Sequence, residues 1–114
     1  MSDWRELKIM VKALADVARL MIVYHLAHQG EITVTALTDM LGLSQPLASW
    51  HLRKLRRAGL VHTRRVGRQV YCSLDISRYQ QCLQALGTIV DPATHFEPLP
   101  YGDVLIEQEL VADD

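Results

Sequence analysis

The chain reads as a mainly α-helical domain carrying one small β-hairpin, and three features predict that class. Helical apolar spacing runs through residues 5–58 and returns over 76–89, while glycines and short polar residues fall between the stretches. Residues 61–74 change to the two-residue alternation of paired strands. With 114 residues, 49% of them hydrophobic and 22% charged, the chain has the size of one domain with a modest core and is not of disordered composition.

Leu7, Met10, Val11, Leu14 and Ala15 recur at steps of three and four, which predicts a helix over 5–15 that faces a core or a partner. Asp16 is placed to cap the next helix, 17–28, which is apolar on nearly every side and reads as buried in the middle of a small bundle until Gly30 ends it. Thr33 precedes a short helix with Val34, Leu37 and Leu41 on one stripe; Gly42 stops it, and Ser44 caps the following helix with Pro46 in its first turn. Helix, glycine turn and helix form a helix-turn-helix.

On a wheel, residues 44–58 set Ala48, Leu52 and Leu55 on one side and Pro46, Ser49, Trp50, Arg53 and Arg57 on the other. Ala58-Gly59-Leu60 closes that helix. Residues 60–65 and 69–74 then flank Val66-Gly67 as a two-stranded wing with a glycine turn. Ile76, Tyr79, Leu83, Leu86 and Val90 give a final helix, 76–89, with more apolar face than a domain of this size needs internally. Pairing with the first helix across a homodimer is the expected use. Residues 1–90 form this domain; 91–114, with Pro92, Pro98 and Pro100, read as an extended acidic tail with at most a short helix or strand at 104–111.

Charge is unevenly placed. No acidic residue lies between Asp39 and Asp75, whereas seven of the twelve Lys and Arg do: Arg53, Lys54, Arg56, Arg57, Arg64, Arg65 and Arg68. The net charge of -1 hides this, because the tail holds Asp91, Glu97, Asp103, Glu107, Glu109, Asp113 and Asp114 without a single Lys or Arg. Residues 1–90 carry twelve basic against six acidic side chains, a net of +6. A basic helix followed by a basic hairpin suits a nucleic-acid duplex. A solvated charged face is the usual fate of surface charge, but it does not account for the missing acids.

Other function classes find little support. No apolar run reaches the roughly 18–20 residues that span a bilayer, and the start lacks a signal-peptide pattern, so no membrane partner and a cytoplasmic location are expected. Cys72 and Cys82 are too few for a disulfide framework and not spaced as a metal knuckle. No nucleophile, acid–base pair or phosphate loop stands out, so an enzyme is not expected.

Three stretches together resemble the bacterial ArsR/SmtB family of winged-helix repressors. They are Ala13-Leu14-Ala15-Asp16-Val17-Ala18-Arg19-Leu20, then Leu41-Gly42-Leu43-Ser44-Gln45-Pro46-Leu47-Ala48-Ser49-Trp50-His51-Leu52, then Leu55-Arg56-Arg57-Ala58-Gly59-Leu60-Val61 with the wing Arg64-Arg65-Val66-Gly67-Arg68-Gln69-Val70-Tyr71. The resemblance implies a homodimer on a double-stranded operator, released by an inducer such as a metal or a thiol-reactive or organic small molecule. The family's thiol metal site falls on Thr33-Val34-Thr35, and its last-helix site on a segment with no Asp, Glu or His, so both are absent and the cofactor is unknown. Of the family's paired-cysteine redox pattern only Cys82 has a counterpart.

The DNA-contact candidates are Gln45, Pro46, Ser49 and Trp50 with Arg53 behind them for base edges, and Lys54, Arg57, Arg64, Arg65 and Arg68 for phosphates. His51 reads as structural with a phosphate contact in reach, and Trp50 as either a thymine or sugar contact or packing against the wing or a neighbouring helix. Weaker candidates are His25 and His28, three apart on a helix, with His95 and Glu97 in the tail for a metal, and Cys82 for a persulfide or oxidant. The alternatives are a constitutive regulator whose acidic tail competes for the basic face, and a winged-helix protein-interaction module.

Overall fold

A computed structural model of the protein describes residues 3–94, so the tail candidates His95 and Glu97 and the segment 104–111 lie outside the described residues. The elements are α1 (Trp4–Leu14), α2 (Val17–Gln29), β1 (Ile32–Thr33), α3 (Val34–Leu41), α4 (Gln45–Arg57), β2 (Val61–Val66), β3 (Gln69–Leu74) and α5 (Ile76–Ile89).

Every helix opens on a side-chain oxygen that accepts a backbone N–H of its first turn, which would otherwise have no partner. Asp3 accepts from Arg5, Asp16 from Arg19, Thr33 from Ala36, Ser44 from Leu47 and Asp75 from Arg78. Gly42, at φ 67°, supplies the left-handed residue between α3 and α4. Gly59, at φ 75°, turns the chain from α4 into β2, and a Cβ there would stand 3.2 Å from Nε of Arg78. Arg78 itself spans this corner, with Nε donating to the Ala58 carbonyl and the guanidinium paired with Glu6 at 2.7 Å, so α1, α5 and the end of α4 are tied together.

The core forms where the helices cross the sheet. Met10, Ile22, Leu37, Leu55, Leu60, Val61, Cys72 and Cys82 are fully buried, one or two from nearly every element. These contributions fix α4 against α1, α2, α3 and β2, so its outward side is presented on a firm base.

Three expectations are corrected. The sheet has three antiparallel strands in the order β1-β3-β2, because Ile32 pairs with Cys72 and Thr33 with Tyr71; a two-residue strand leaves no alternation to read. The wing turn is Gly67-Arg68 and not Val66-Gly67, since Val66 is the last paired residue of β2, opposite Gln69. Finally, α2 is not buried all round: Ile22, Val23 and Leu26 face the core, but Val17, Leu20, Met21 and Tyr24 are exposed. Apolar content marks a surface that avoids water without saying whether the same chain covers it. For α5 the expected surplus face is present, with Cys82 and Ala85 inward and Ile76, Leu83, Leu86 and Ile89 outward.

Candidate nucleic-acid interface

The inward row of α4, made of Ala48, His51, Leu52 and Leu55, is buried. A helix period of 3.6 residues therefore turns Gln45, Pro46, Ser49, Arg53 and Arg57 outward, and all five are exposed. Gln45 and Pro46 occupy the first turn, at the end a recognition helix would push towards base edges. Leu47, also exposed at that end, is a surface residue the sequence reading passed over.

Beneath this row lies a buried polar junction between α2 and α4. The Arg19 guanidinium, almost wholly buried, donates from Nε to the Ala13 carbonyl at 2.6 Å and from a terminal nitrogen to Nδ1 of His51 at 3.0 Å. Arginine has no acceptor, so Nδ1 of His51 must be the acceptor and its ring proton sits on Nε2. Burial pushes the His51 pKa down and outweighs the upward pull of Asp16, whose carboxylate is 3.9 Å from Nδ1, while the Arg19 charge adds a lesser downward push. The ring is neutral and spent inward. The last turn of α1 and the first turn of α2 are thereby tied to the middle of α4.

Trp50 lies over this junction and remains 38% exposed. Its ring meets His51 edge-on at 4.9 Å, with the Lys54 ammonium at 5.1 Å and the Arg19 guanidinium at 5.6 Å from its centroid. The indole therefore packs mainly on its own helix and on Arg19, and presents the remainder of its surface beside Arg53.

The wing supplies the second basic surface. Arg65 and Arg68 are exposed at its tip, and their guanidinium groups, like those of Arg53 and Arg57, make no ion pair or hydrogen bond with another described residue. Arg56 reaches from α4 to the Thr63 hydroxyl at 3.4 Å. Arg64 differs: it donates two hydrogen bonds of 2.6 Å to the two carboxylate oxygens of Glu31 and lies over the Tyr71 ring at 4.7 Å. That hydrogen-bonded pair holds the Glu31 carboxyl below its ordinary pKa.

The sensing candidates are dispersed. His28 is exposed, stacked on Tyr24 at 4.1 Å with Nδ1 donating to the Tyr24 carbonyl, while His25 is half-buried with its ring edge-on to Tyr24. Among the described residues no three His, Cys, Asp or Glu side chains group as metal ligands would. Both cysteines are free and fully buried; burial pushes the Cys72 thiol up to about 11 and the Cys82 thiol upward as well. Only a thiolate reacts, so neither thiol is primed. No described helix is long and apolar enough to cross a membrane.

A short three-stranded sheet with a projecting hairpin, attached to a helix-turn-helix whose second helix carries an exposed basic row, defines a winged helix-turn-helix domain. The profile of the bacterial regulatory proteins of the arsR family matches residues 16–63. A biofilm growth-associated repressor of Agrobacterium fabrum is 40% identical over 84 residues, which cover 74% of this chain and 71% of that protein. The arsenic resistance regulator ArsR1 of Pseudomonas putida is 46% identical over 66 residues, spanning 58% of this chain and 52% of its own length. The solution structure of Mb0332 from Mycobacterium bovis, described as a homodimeric winged helix-turn-helix DNA-binding domain, superposes with TM-score 0.62 at 31% identity over 82% of this chain and 89% of that one. The chain belongs to the ArsR family and is a DNA-binding transcriptional regulator.

Proposed function

We propose that the protein is a homodimeric repressor that occupies a double-stranded operator and leaves it when an inducer binds. In the dimer the two α4 helices enter successive major grooves about 34 Å apart. Gln45, Pro46, Ser49, Trp50 and Arg53 face base edges, with Gln45 suited to a bidentate pair with adenine, and Lys54, Arg57, Arg65 and Arg68 hold phosphates. Residues 1–90 carry these tasks, and 91–114 form a separate acidic tail. The site of action is the cytoplasm, where the DNA is.

The observation that carries this reading is the exposed row on α4. It is cationic, has guanidinium groups at Arg53 and Arg57 that no other described residue engages, and stands on a buried base that fixes its direction. Dimerisation is supported by Ile9 and Val11 on α1 with Leu83, Leu86 and Ile89 on α5, apolar and exposed on two helices that contact each other. An inducer has to favour a dimer whose α4 spacing no longer fits the duplex, and a coupling of about 1–3 kcal/mol is typical of such systems. Its identity is open to a direct screen of zinc, nickel, arsenite, a persulfide and an oxidant against the bound complex.

The test is salt-titrated binding of the full-length protein to a duplex selected from a random pool, alongside an unrelated duplex. Arg57→Ala should reduce the slope of log affinity against log salt by about one unit, equally on both. Arg53→Ala should cost about 1–3 kcal/mol on the selected duplex and narrow its advantage. If both variants bind as the parent does, the cationic row of α4 is incidental to binding and this assignment of contacts fails; a parent that binds neither duplex would favour a protein-interaction module.

A further inference from the structure

We propose that Glu31 and Arg64 form a strap across the wing that sets the direction of its tip, so that Arg64 is a positioning residue and Arg65 and Arg68 make the phosphate contacts. This rests on the DNA-binding reading above.

The register places the strap. Thr33 of β1, Tyr71 of β3 and Arg64 of β2 lie side by side in one row across the sheet. Residues directly opposite in antiparallel strands share a face, and residues two apart in a strand do too, so Glu31 belongs to the same face as Thr33. Its carboxylate spans the central strand to meet Arg64 on the far strand with both oxygens, and the Tyr71 ring fills the space beneath. Fork-on-fork pairing of this kind fixes angle as well as distance.

The other face of the same sheet carries Thr63, Arg65 and Cys72, with the Cys72 side chain entering the helical core. Arg65 therefore points to the side on which the helices pack, and Arg64 to the opposite side. Beyond the row Arg64–Tyr71 the hairpin has only Arg65 paired with Val70 and Val66 paired with Gln69 before the Gly67-Arg68 turn, and every one of these residues except the half-buried Val70 is exposed. A bare two-stranded ribbon has little stability or direction of its own. The strap is the last cross-sheet tie before that ribbon leaves the body of the protein. It also starts from the residue before β1, and Thr33 at the end of β1 is the cap of α3, so the wing and the helix-turn-helix are referred to the same few residues.

The strap makes a prediction of opposite sign to simple charge counting. Removing an acid from a DNA-binding face normally tightens binding. Here Glu31→Gln, made in the full-length protein, should weaken binding to the selected duplex about three- to tenfold and leave the salt slope unchanged. Arg64→Ala should weaken it similarly with less than one unit of slope lost. The exchanged pair, Glu31→Arg with Arg64→Glu, restores the tie with the two charges in swapped places and should recover most of the affinity; a merely generic destabilisation would not be rescued in this way. Thermal unfolding of each variant checks that the comparison is between folded proteins.

Tighter binding by Glu31→Gln, with about one unit of slope gained, would overturn the proposal and make Arg64 a phosphate contact held in check. Unchanged binding in Glu31→Gln, or failure of the exchanged pair to recover, would overturn it as well. If the parent protein itself binds no duplex, it is the DNA-binding reading that fails, so the two failures are separable.

Discussion

The two sides of α4 are made from the same thirteen residues and do opposite work. On the inner side Ala48 and Leu55 are fully buried and His51 and Leu52 nearly so; on the outer side Gln45, Ser49, Arg53 and Arg57 are open to solvent. The inner row decides where the outer row is held, and the outer row decides what is held there. Substitutions on the inner side should therefore register first as lost stability, and those on the outer side as lost binding with stability kept.

The largest expected effect comes from the inner side. Leu55→Ala removes a fully buried side chain from the centre of the core and should cost about 2–5 kcal/mol, read from the denaturant midpoint at unchanged slope. Its remaining folded fraction should still bind the selected duplex. Arg53→Ala and Arg57→Ala, whose binding losses are set out above, should stay within about 0.5 kcal/mol of the parent stability, as exposed substitutions usually do. A stability loss in the arginine variants comparable to that of Leu55→Ala would erase the distinction between the two sides.

How far this contrast can be read from sequence depends on how local its causes are. The inward residues Ala48, Leu52 and Leu55 follow from helical period alone, and Asp16, Thr33, Ser44, Gly42 and Gly59 mark their helix ends because each solves a problem within one turn of chain. The pairs that tie the site together are invisible in that way. Arg19 meets His51 across 32 residues and Arg64 meets Glu31 across 33, and nothing in the neighbourhood of either residue signals the other. For the same reason Arg64 looks in sequence like another free cation of the wing, and a two-residue strand such as β1 has no period to detect. The exposed stripe on α2 reads in sequence as a buried face, because apolar content cannot separate a core from an uncovered apolar surface.

Between the inner and outer sides stands His51, and pH should separate them. Its folded-state pKa lies below the ordinary 6.5, because burial, helped a little by Arg19, outweighs the opposing pull of Asp16. The unfolded chain therefore takes up this proton first, and stability should fall as pH drops below about 6.5 towards the depressed folded value. The carboxylates with lowered pKa, Glu31 and Asp75, contribute above their unfolded values of 4.5 and 3.8 and lose that contribution only below them, in a separate window. His51→Asn places an uncharged acceptor near the position of Nδ1, so Arg19 keeps a partner. That variant should show a flatter stability profile between pH 6.5 and 5.5, measured by denaturant unfolding; an unchanged slope would mean that the ring does not gain its proton on unfolding in this range.

The smallest effect should come from Trp50, which belongs to both sides. Its ring contacts the buried His51 edge-on and lies within 5.6 Å of Arg19, yet 38% of the residue faces solvent beside the basic row. An indole gives up part of its packing when replaced by phenyl, and a cation over an exposed ring is worth about 0.5–1 kcal/mol. Trp50→Phe keeps an aromatic face over Arg19 and Lys54, so it should cost less than about 1 kcal/mol of stability and shift affinity less than Arg53→Ala does. In a Trp4→Phe background Trp50 is the sole tryptophan, because the chain has two, and its emission can then be followed during a duplex titration. A change in that emission at saturating duplex would place the indole at the interface; unaltered emission, with the small stability loss intact, would assign the residue to the inner side, where its work is to hold His51 and Arg19 in place.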